Sequence, residues 1–211
     1  MFCNNNKNKI NWDDLDGLRE TVRSLVKEKR FAHILGVERE AAGIAEIFGC
    51  DKDFIKKLRA AALLHDITKD FDMAKQLEIC EAYDIKLSRD DKLAVKPIHA
   101  KTGAYIAKHE FGADDMIFNG IYNHTIPDPS RELDLFDKII YLADWTEPGR
   151  DYEDCKQVRG YFYSRADLIN LDKTILFSYN KSIEALLADG LFIHKDTIEG
   201  RNALILKGIT V

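Results

Sequence analysis

The dipeptide His65-Asp66 places two side chains that can bind a metal next to each other, directly after the apolar segment 60–64. An aspartate is unfavourable at the C-terminus of a helix, because that end carries a partial negative charge. A bound cation would remove this objection. A His-Asp pair by itself has little weight, since a chain of this composition is expected to contain one by chance. The pair therefore predicts a metal site only if other residues support it.

Four further residues give that support, namely His33, His99, His124 and Asp144. Each lies near a predicted helix end, with His33 at a start, His99 two residues after a proline, and the other two at or near an end. Taken singly, such a histidine is more often structural than a ligand. Their irregular spacing is unlike that of a zinc finger. It is typical of a site where several helix ends converge on one ion.

The spacing of apolar residues predicts an all-α fold, because few segments alternate with a period of two. We expect helices over residues 12–29, 33–48, 52–65, 71–83, 97–112 and 114–124, one through 135–142 that stops at Pro148-Gly149, and one over 166–187. The tail, residues 191–211, fits either an extended or a helical conformation. Residues 1–11 resemble a frayed terminus, and residues 12–211 are predicted to form a single domain.

Composition narrows the class of protein. The chain has 211 residues and a net charge of −5, so no basic surface indicates nucleic-acid binding. No apolar segment is long enough to span a membrane, and the N-terminus lacks the apolar core of a signal peptide. The cysteines, Cys3, Cys50, Cys80 and Cys155, form no C-x-x-C pair, which favours reduced thiols and a cytoplasmic location. A polyphosphate substrate would need local positive charge from metal ions or placed basic residues.

Five segments carry a family resemblance. They are RFAHILGV (30–37), AALLHDITK (61–69), HAKTGA (99–104), YNHT (122–125) and KIIYLADWTEPGR (138–150). Their order resembles the HD-domain phosphohydrolases, and most closely the bacterial YqeK-type family, over residues 18–206. The His…His-Asp…Asp order marks only the superfamily, whereas the Ala-Asp-x-x-Glu-Pro-Gly-Arg block is more specific. The resemblance implies an HD-domain helical bundle that cleaves diadenosine tetraphosphate symmetrically into two ADP molecules.

The resemblance also implies the ligands and the metal. The metal ligands would be His33, His65, Asp66 and Asp144, and the implied metal is iron. Imidazole and carboxylate ligands by themselves argue against a thiophilic site but leave iron, manganese and zinc open, as divalent or trivalent ions.

The expected roles at the substrate follow from the same resemblance. Asp66, His99 and His124 are the predicted catalytic residues, with the two histidines facing the polyphosphate or a second metal that Asp66 would bridge. The residues expected to contact substrate are Arg30, His33, Lys69, His99, His124, Asp144 and Arg150. Two departures from the family pattern are Ile126-Pro127, where threonine and glycine are usual, and Gly200, where alanine is expected.

Several alternatives stay open at this point. Residues 147–150 could form a plain turn after a helix. The protein could be another HD-type enzyme, either a nucleotidase or a cyclic-nucleotide phosphodiesterase, or a nucleotide-binding regulator without catalysis. The expected partners are the nucleotide substrate and its ADP product, with no nucleic acid and no membrane, and a homodimer is an open alternative.

Overall fold

The computed structural model describes residue 12, residues 14–94 and residues 97–211, and this part of the chain is helical without any strand. The all-α prediction is confirmed. The segment 1–11, including Cys3, lies outside the described residues. The helices are α1 (Leu15–Leu25), α2 (Glu28–Ile47), α3 (Lys52–Leu64), α4 (Met73–Ala82), α5 (Arg89–Ala94), α6 (Ile98–Glu110), α7 (Asp115–Asn123), α8 (Leu135–Thr146), α9 (Glu153–Ser164), α10 (Leu168–Ala188) and α11 (Lys195–Leu206).

Aspartate side chains mark where most of these helices begin. Each accepts a hydrogen bond from a backbone N–H three residues further on, which satisfies a donor that the helix leaves free. In α8 the aspartate at N3, Asp137, also accepts from the backbone of the cap residue, which completes a capping box. The capping residues are Asp14, Asp51, Asp72, Asp114, Asp134 and Asp167. The sequence therefore encodes these helix starts locally.

The boundary between the first two helices differs from the prediction. Val26 and Lys27 have extended backbones, so α1 ends at Leu25 and α2 begins at Glu28. No glycine or proline marks this break, which is why a single helix to residue 29 was expected. His33 consequently lies in the second turn of α2 and not at a helix start. Helices α5 and α9 were not predicted, and the tail, whose conformation was left open, contains α11.

The core lies where α2, α3, α7 and α8 pack against one another. Residues 60–64 of α3 and residues 139–143 of α8 are buried on every side, so these helices are central and not amphipathic surface helices. Helix α10 packs against α8 and α9, and α11 packs against α10. Cys50, Cys80 and Cys155 are free thiols. Within the part of the chain that is described, no helix is both long enough and apolar enough to cross a bilayer.

Candidate metal centre

The four predicted ligands come together at one end of this bundle. His33 of α2 lies with its Nε2 atom 3.1 Å from Oδ1 of Asp144 and 3.6 Å from Oδ2 of Asp66. The Nε2 atom of His65, which ends α3, lies 3.6 Å from Oδ2 of Asp66 and 3.9 Å from Oδ1 of Asp144. The structure therefore brings together side chains that are up to 111 residues apart in the sequence.

One atom of each of these side chains is buried without a well-aligned hydrogen bond, although Oδ1 of Asp66 and Oδ1 of Asp144 each lie 3.1 Å from an imidazole nitrogen. These atoms are Nε2 of His33 and of His65, and Oδ1 of Asp66 and of Asp144. A buried polar atom without a partner costs about 1–3 kcal/mol, so four in one place need an explanation. Ligand atoms of His33, His65 and Asp144 all lie within 4.8 Å of one another. A cation in their midst would satisfy them, so the donor set fits a metal ion.

Hydrogen bonds on the far side of each imidazole aim the lone pair at this centre. The Nδ1 atom of His65 lies 2.6 Å from the carbonyl oxygen of Ala62, to which Nδ1–H donates, so Nε2 carries the free lone pair. The Nδ1 atom of His33 lies 3.0 Å from Oε1 of Glu147. Such a carboxylate–histidine contact fixes the tautomer and the ring orientation of a metal ligand. Glu147 was not predicted as a site residue, although it belongs to the specific motif of residues 143–150.

Glu147 is itself held firmly in its turn. Its carboxylate accepts a hydrogen bond from the backbone N–H of Gly149 at 2.6 Å. The guanidinium of Arg159 on α9 donates to the carbonyl oxygens of Thr146, Glu147 and Arg150 at 2.6, 2.6 and 2.9 Å. Arg159 was also missed, because no sequence signal indicates that α9 packs under this turn. Residues 147–150 are therefore more than a helix stop, since they orient His33 and present Arg150.

His99 and His124 lie on the other side of Asp66. The Nε2 atom of His99 is 3.1 Å from Oδ1 of Asp66 and 3.1 Å from Nε2 of His124. The Nδ1–H of His124 donates to the carbonyl oxygen of Ile121 at 2.6 Å, which leaves Nε2 as an acceptor. His65, Asp66 and His124 form a second group of ligand atoms within 4.8 Å. His65 is therefore the residue common to both groups, and Asp66 belongs to the second group only.

The three predicted basic residues surround the carboxylates. Arg30 donates to Oδ2 of Asp66 at 2.6 Å, and the ammonium of Lys69 lies 3.8 Å from Oδ1 of the same residue. The guanidinium of Arg150 lies 3.4 Å from Oδ1 of Asp144. The Nζ atom of Lys69 also lies 2.8 Å from Nε2 of His99. The basic side chains are therefore within reach of a phosphate bound at the centre.

A cleft of about 720 Å³ opens at these residues. Five of its lining side chains are basic and three are acidic, so the cleft attracts anions although the whole chain is acidic. The lining residues are Lys27, Lys29, Arg30, Ala32, His33, Lys69, Asp70, Glu147, Gly149, Arg150, Asp151 and Tyr152.

Burial and neighbouring charges set the protonation states. Burial lowers the pKa of His65 to about 3, and burial together with Lys69 lowers that of His99 to about 4, so both rings are neutral at pH 7. Burial opposes ionisation of Asp144, but Arg150 and His33 outweigh it and hold its pKa well below the usual range. Burial also lowers the pKa of His33, but Asp144 and Glu147 outweigh it and raise the pKa to about 9.

The two departures from the family pattern have different surroundings. Ile126 lines a separate cavity of about 150 Å³, together with Lys101 and His194, and does not line the cleft. A Cβ atom at Gly200 would lie 2.6 Å from the hydroxyl oxygen of Tyr179. The contact between α10 and α11 therefore explains why glycine replaces the expected alanine.

Known proteins are similar to this chain in sequence and in fold. The HD domain family model matches residues 30–149. The symmetrical bis(5'-nucleosyl)-tetraphosphatase of Halalkalibacterium halodurans is 31% identical, over 89% of this chain and 95% of that protein. The protein of the same name from Bacillus subtilis is 28% identical over 87% of this chain and 94% of its own length. The crystal structure of a predicted HD superfamily hydrolase involved in NAD metabolism, from Clostridium acetobutylicum, superposes with a TM-score of 0.81 and 32% identity. It covers 92% of this chain and 97% of that chain.

Proposed function

Because this chain belongs to the HD domain family, we propose that it is a metal-dependent symmetrical bis(5'-nucleosyl)-tetraphosphatase that hydrolyses diadenosine tetraphosphate to two ADP. The observation that carries the proposal is the convergence of four buried ligand atoms, none with a well-aligned hydrogen bond, next to a basic cleft that His33 lines. The names of relatives that align over most of their length support the choice of substrate.

The proposed metal ligands are His33, His65, Asp66 and Asp144. Once His33 has released its proton, two neutral imidazoles and two ionised carboxylates form a donor set that suits a divalent metal. We propose iron, for which the support is the family resemblance together with the absence of a thiolate from this donor set, although manganese and zinc accept the same ligands. A metal held by these residues would supply positive charge to the polyphosphate and would lower the pKa of a water molecule near neutral pH.

The remaining residues act on the substrate. Arg150 can donate two parallel hydrogen bonds to phosphate oxygens, and Gly149 lets the backbone approach closely. Arg30 and Lys69, which contact Asp66, add positive charge around the phosphate that is attacked. His99 and His124 adjoin Asp66 and can contact non-bridging oxygens or a second metal. His99 is neutral at pH 7, so it does not supply an imidazolium proton before the substrate binds.

The names of the relatives support a symmetrical cut, and the positions of the positive charge are compatible with it. Lys69 is close to Asp66 and Arg150 is close to Asp144, so cations flank the centre on two sides. One ADP half can then be held while the other half leaves. The leaving group is a nucleoside diphosphate, whose negative charge is well stabilised, so its departure needs little acid catalysis. A neutral His99, which cannot act as an imidazolium acid, is sufficient for such a leaving group.

Product analysis tests the proposal. The purified protein is loaded with metal and given diadenosine tetraphosphate, and the reaction is sampled by chromatography before secondary hydrolysis. We expect ADP as the only product. Equal amounts of ATP and AMP without ADP would show an asymmetrical enzyme. Turnover of nucleoside monophosphates or cyclic nucleotides, with diadenosine tetraphosphate left intact, would instead identify a nucleotidase or a cyclic-nucleotide phosphodiesterase. Tight nucleotide binding without turnover of any of these compounds would indicate a regulator.

A cytoplasmic location is a further proposal. It is supported by the three free thiols in the described part of the chain, since such cysteines persist in reducing compartments. Partition of activity between the cytoplasmic and secreted fractions of the cell tests it.

A further inference from the structure

Tyr152 is an aromatic residue that lines the cleft and is not held by other side chains of the described protein. It precedes α9 as its N-cap residue, but it makes no side-chain capping bond. It is 71% exposed and lines the cleft together with His33 and Arg150. Within the part of the chain that the structure describes, its side chain makes no hydrogen bond and no ring contact. Such a ring keeps its faces free for a ligand.

The position of Tyr152 relative to Arg150 suits a nucleotide. They lie two positions apart in the chain, so their Cα atoms are at most about 7 Å apart. The Arg150 guanidinium reaches Asp144 at the candidate metal centre, 3.4 Å from its Oδ1 atom. Both side chains line the cleft, and that of Tyr152 is the more exposed to solvent, so the ring lies farther from the buried centre than the guanidinium. In a nucleotide the base is likewise displaced from the phosphates, by the length of the ribose.

We propose that Tyr152 is the platform on which a nucleobase of the substrate stacks. The inference rests on the proposed hydrolysis of a dinucleoside tetraphosphate. Stacking uses the face of the base and does not read its edge, so this contact accepts adenine and guanine alike. Lys27 and Lys29, which line the same cleft and form no ion pair with a described residue, supply charge for the phosphates that connect the base to the metal centre.

The test compares ligands with and without a base. We measure kcat and KM for diadenosine tetraphosphate, and the inhibition constants of ADP and of inorganic pyrophosphate, in wild type and Tyr152→Ala. Loss of one stacked base should raise KM and the inhibition constant of ADP roughly tenfold. The inhibition constant of pyrophosphate and kcat should stay within about twofold of wild type, because the phosphate contacts are intact. The KM for diguanosine tetraphosphate should rise by the same factor as the KM for diadenosine tetraphosphate.

Two further variants serve as controls. Tyr152→Phe keeps the ring and should behave as wild type. Phe192→Ala removes another exposed aromatic ring, which is 42% exposed and lies outside the cleft lining, and should change neither constant. An unchanged ADP constant in Tyr152→Ala, or an equal rise for pyrophosphate, would overturn the inference. If wild type binds ADP but does not cleave diadenosine tetraphosphate, the proposed function fails, and calorimetry of ADP and pyrophosphate binding still decides the role of Tyr152.

Discussion

Gly36 of α2 lies beneath the carboxylate that orients His33, and its replacement by alanine should impair the metal centre without touching a ligand. A Cβ atom at this position would lie 3.0 Å from the carboxyl carbon of Glu147 and closer still to Oε2, whereas ordinary contact begins at 3.4 Å. The carboxylate must therefore withdraw by about half an ångström or more. It is fixed by His33 at 3.0 Å and by the backbone N–H of Gly149 at 2.6 Å, so withdrawal weakens at least one of these bonds.

The expected magnitude follows from those bonds. A hydrogen bond to a charged group contributes about 1.5–3 kcal/mol. Loss of a residue that orients a metal ligand typically lowers metal affinity or activity about 10- to 100-fold. We therefore expect Gly36→Ala to lose metal affinity within that range. Titration of metal-free protein against a chromophoric chelator measures the affinity, and release of ADP measures activity.

A matched control exists on the same helix. Gly43 also lies in α2, and a Cβ atom there would meet nothing within 4 Å. Gly43→Ala should keep wild-type metal affinity and gain up to about 1 kcal/mol of stability from helix propensity. Glu147→Gln provides a second variant of nearly unchanged size in case Gly36→Ala does not fold. Wild-type metal affinity and turnover in both Gly36→Ala and Glu147→Gln would refute the argument that Glu147 orients His33.

Three further predictions concern the ligands and the phosphate site. Asp144→Ala should lower bound metal and activity together, and full metal content by elemental analysis would remove Asp144 from the ligand set. Arg150→Lys keeps the charge but loses the paired hydrogen bonds. The fall in kcat/KM should correspond to a loss of about 1.5–3 kcal/mol of transition-state stabilisation. Wild-type kinetics would make Arg150 a turn residue only. Because the pKa of His33 is raised to about 9 without metal, its proton must leave when metal binds at pH 7. Apparent metal affinity should therefore rise about tenfold per pH unit from 7 toward 9 and then level off. Calorimetry in two buffers should detect the released proton. An apparent metal affinity that does not change between pH 7 and 8 would contradict this.

The sequence determined the parts of this protein that depend on local chemistry. Aspartates at the helix starts cap donors three residues away, and the wholly apolar segment 60–64 could only be central. The residue types at positions 33, 65, 66 and 144 indicated a metal donor set, and the motif of residues 143–150 identified the family before any distance was known.

The tertiary structure decided what depends on partners distant in sequence. Glu147 was not predicted as a site residue because its contact with His33 spans 114 residues, and no local pattern encodes which imidazole a carboxylate will meet. Arg159 was missed because the carbonyl oxygens that it binds exist as a cluster only after α9 packs below α8. The break at residues 26–27 was not predicted because it contains no glycine or proline. The exposed ring of Tyr152 likewise became a candidate contact for a nucleobase only when the cleft beside it was formed.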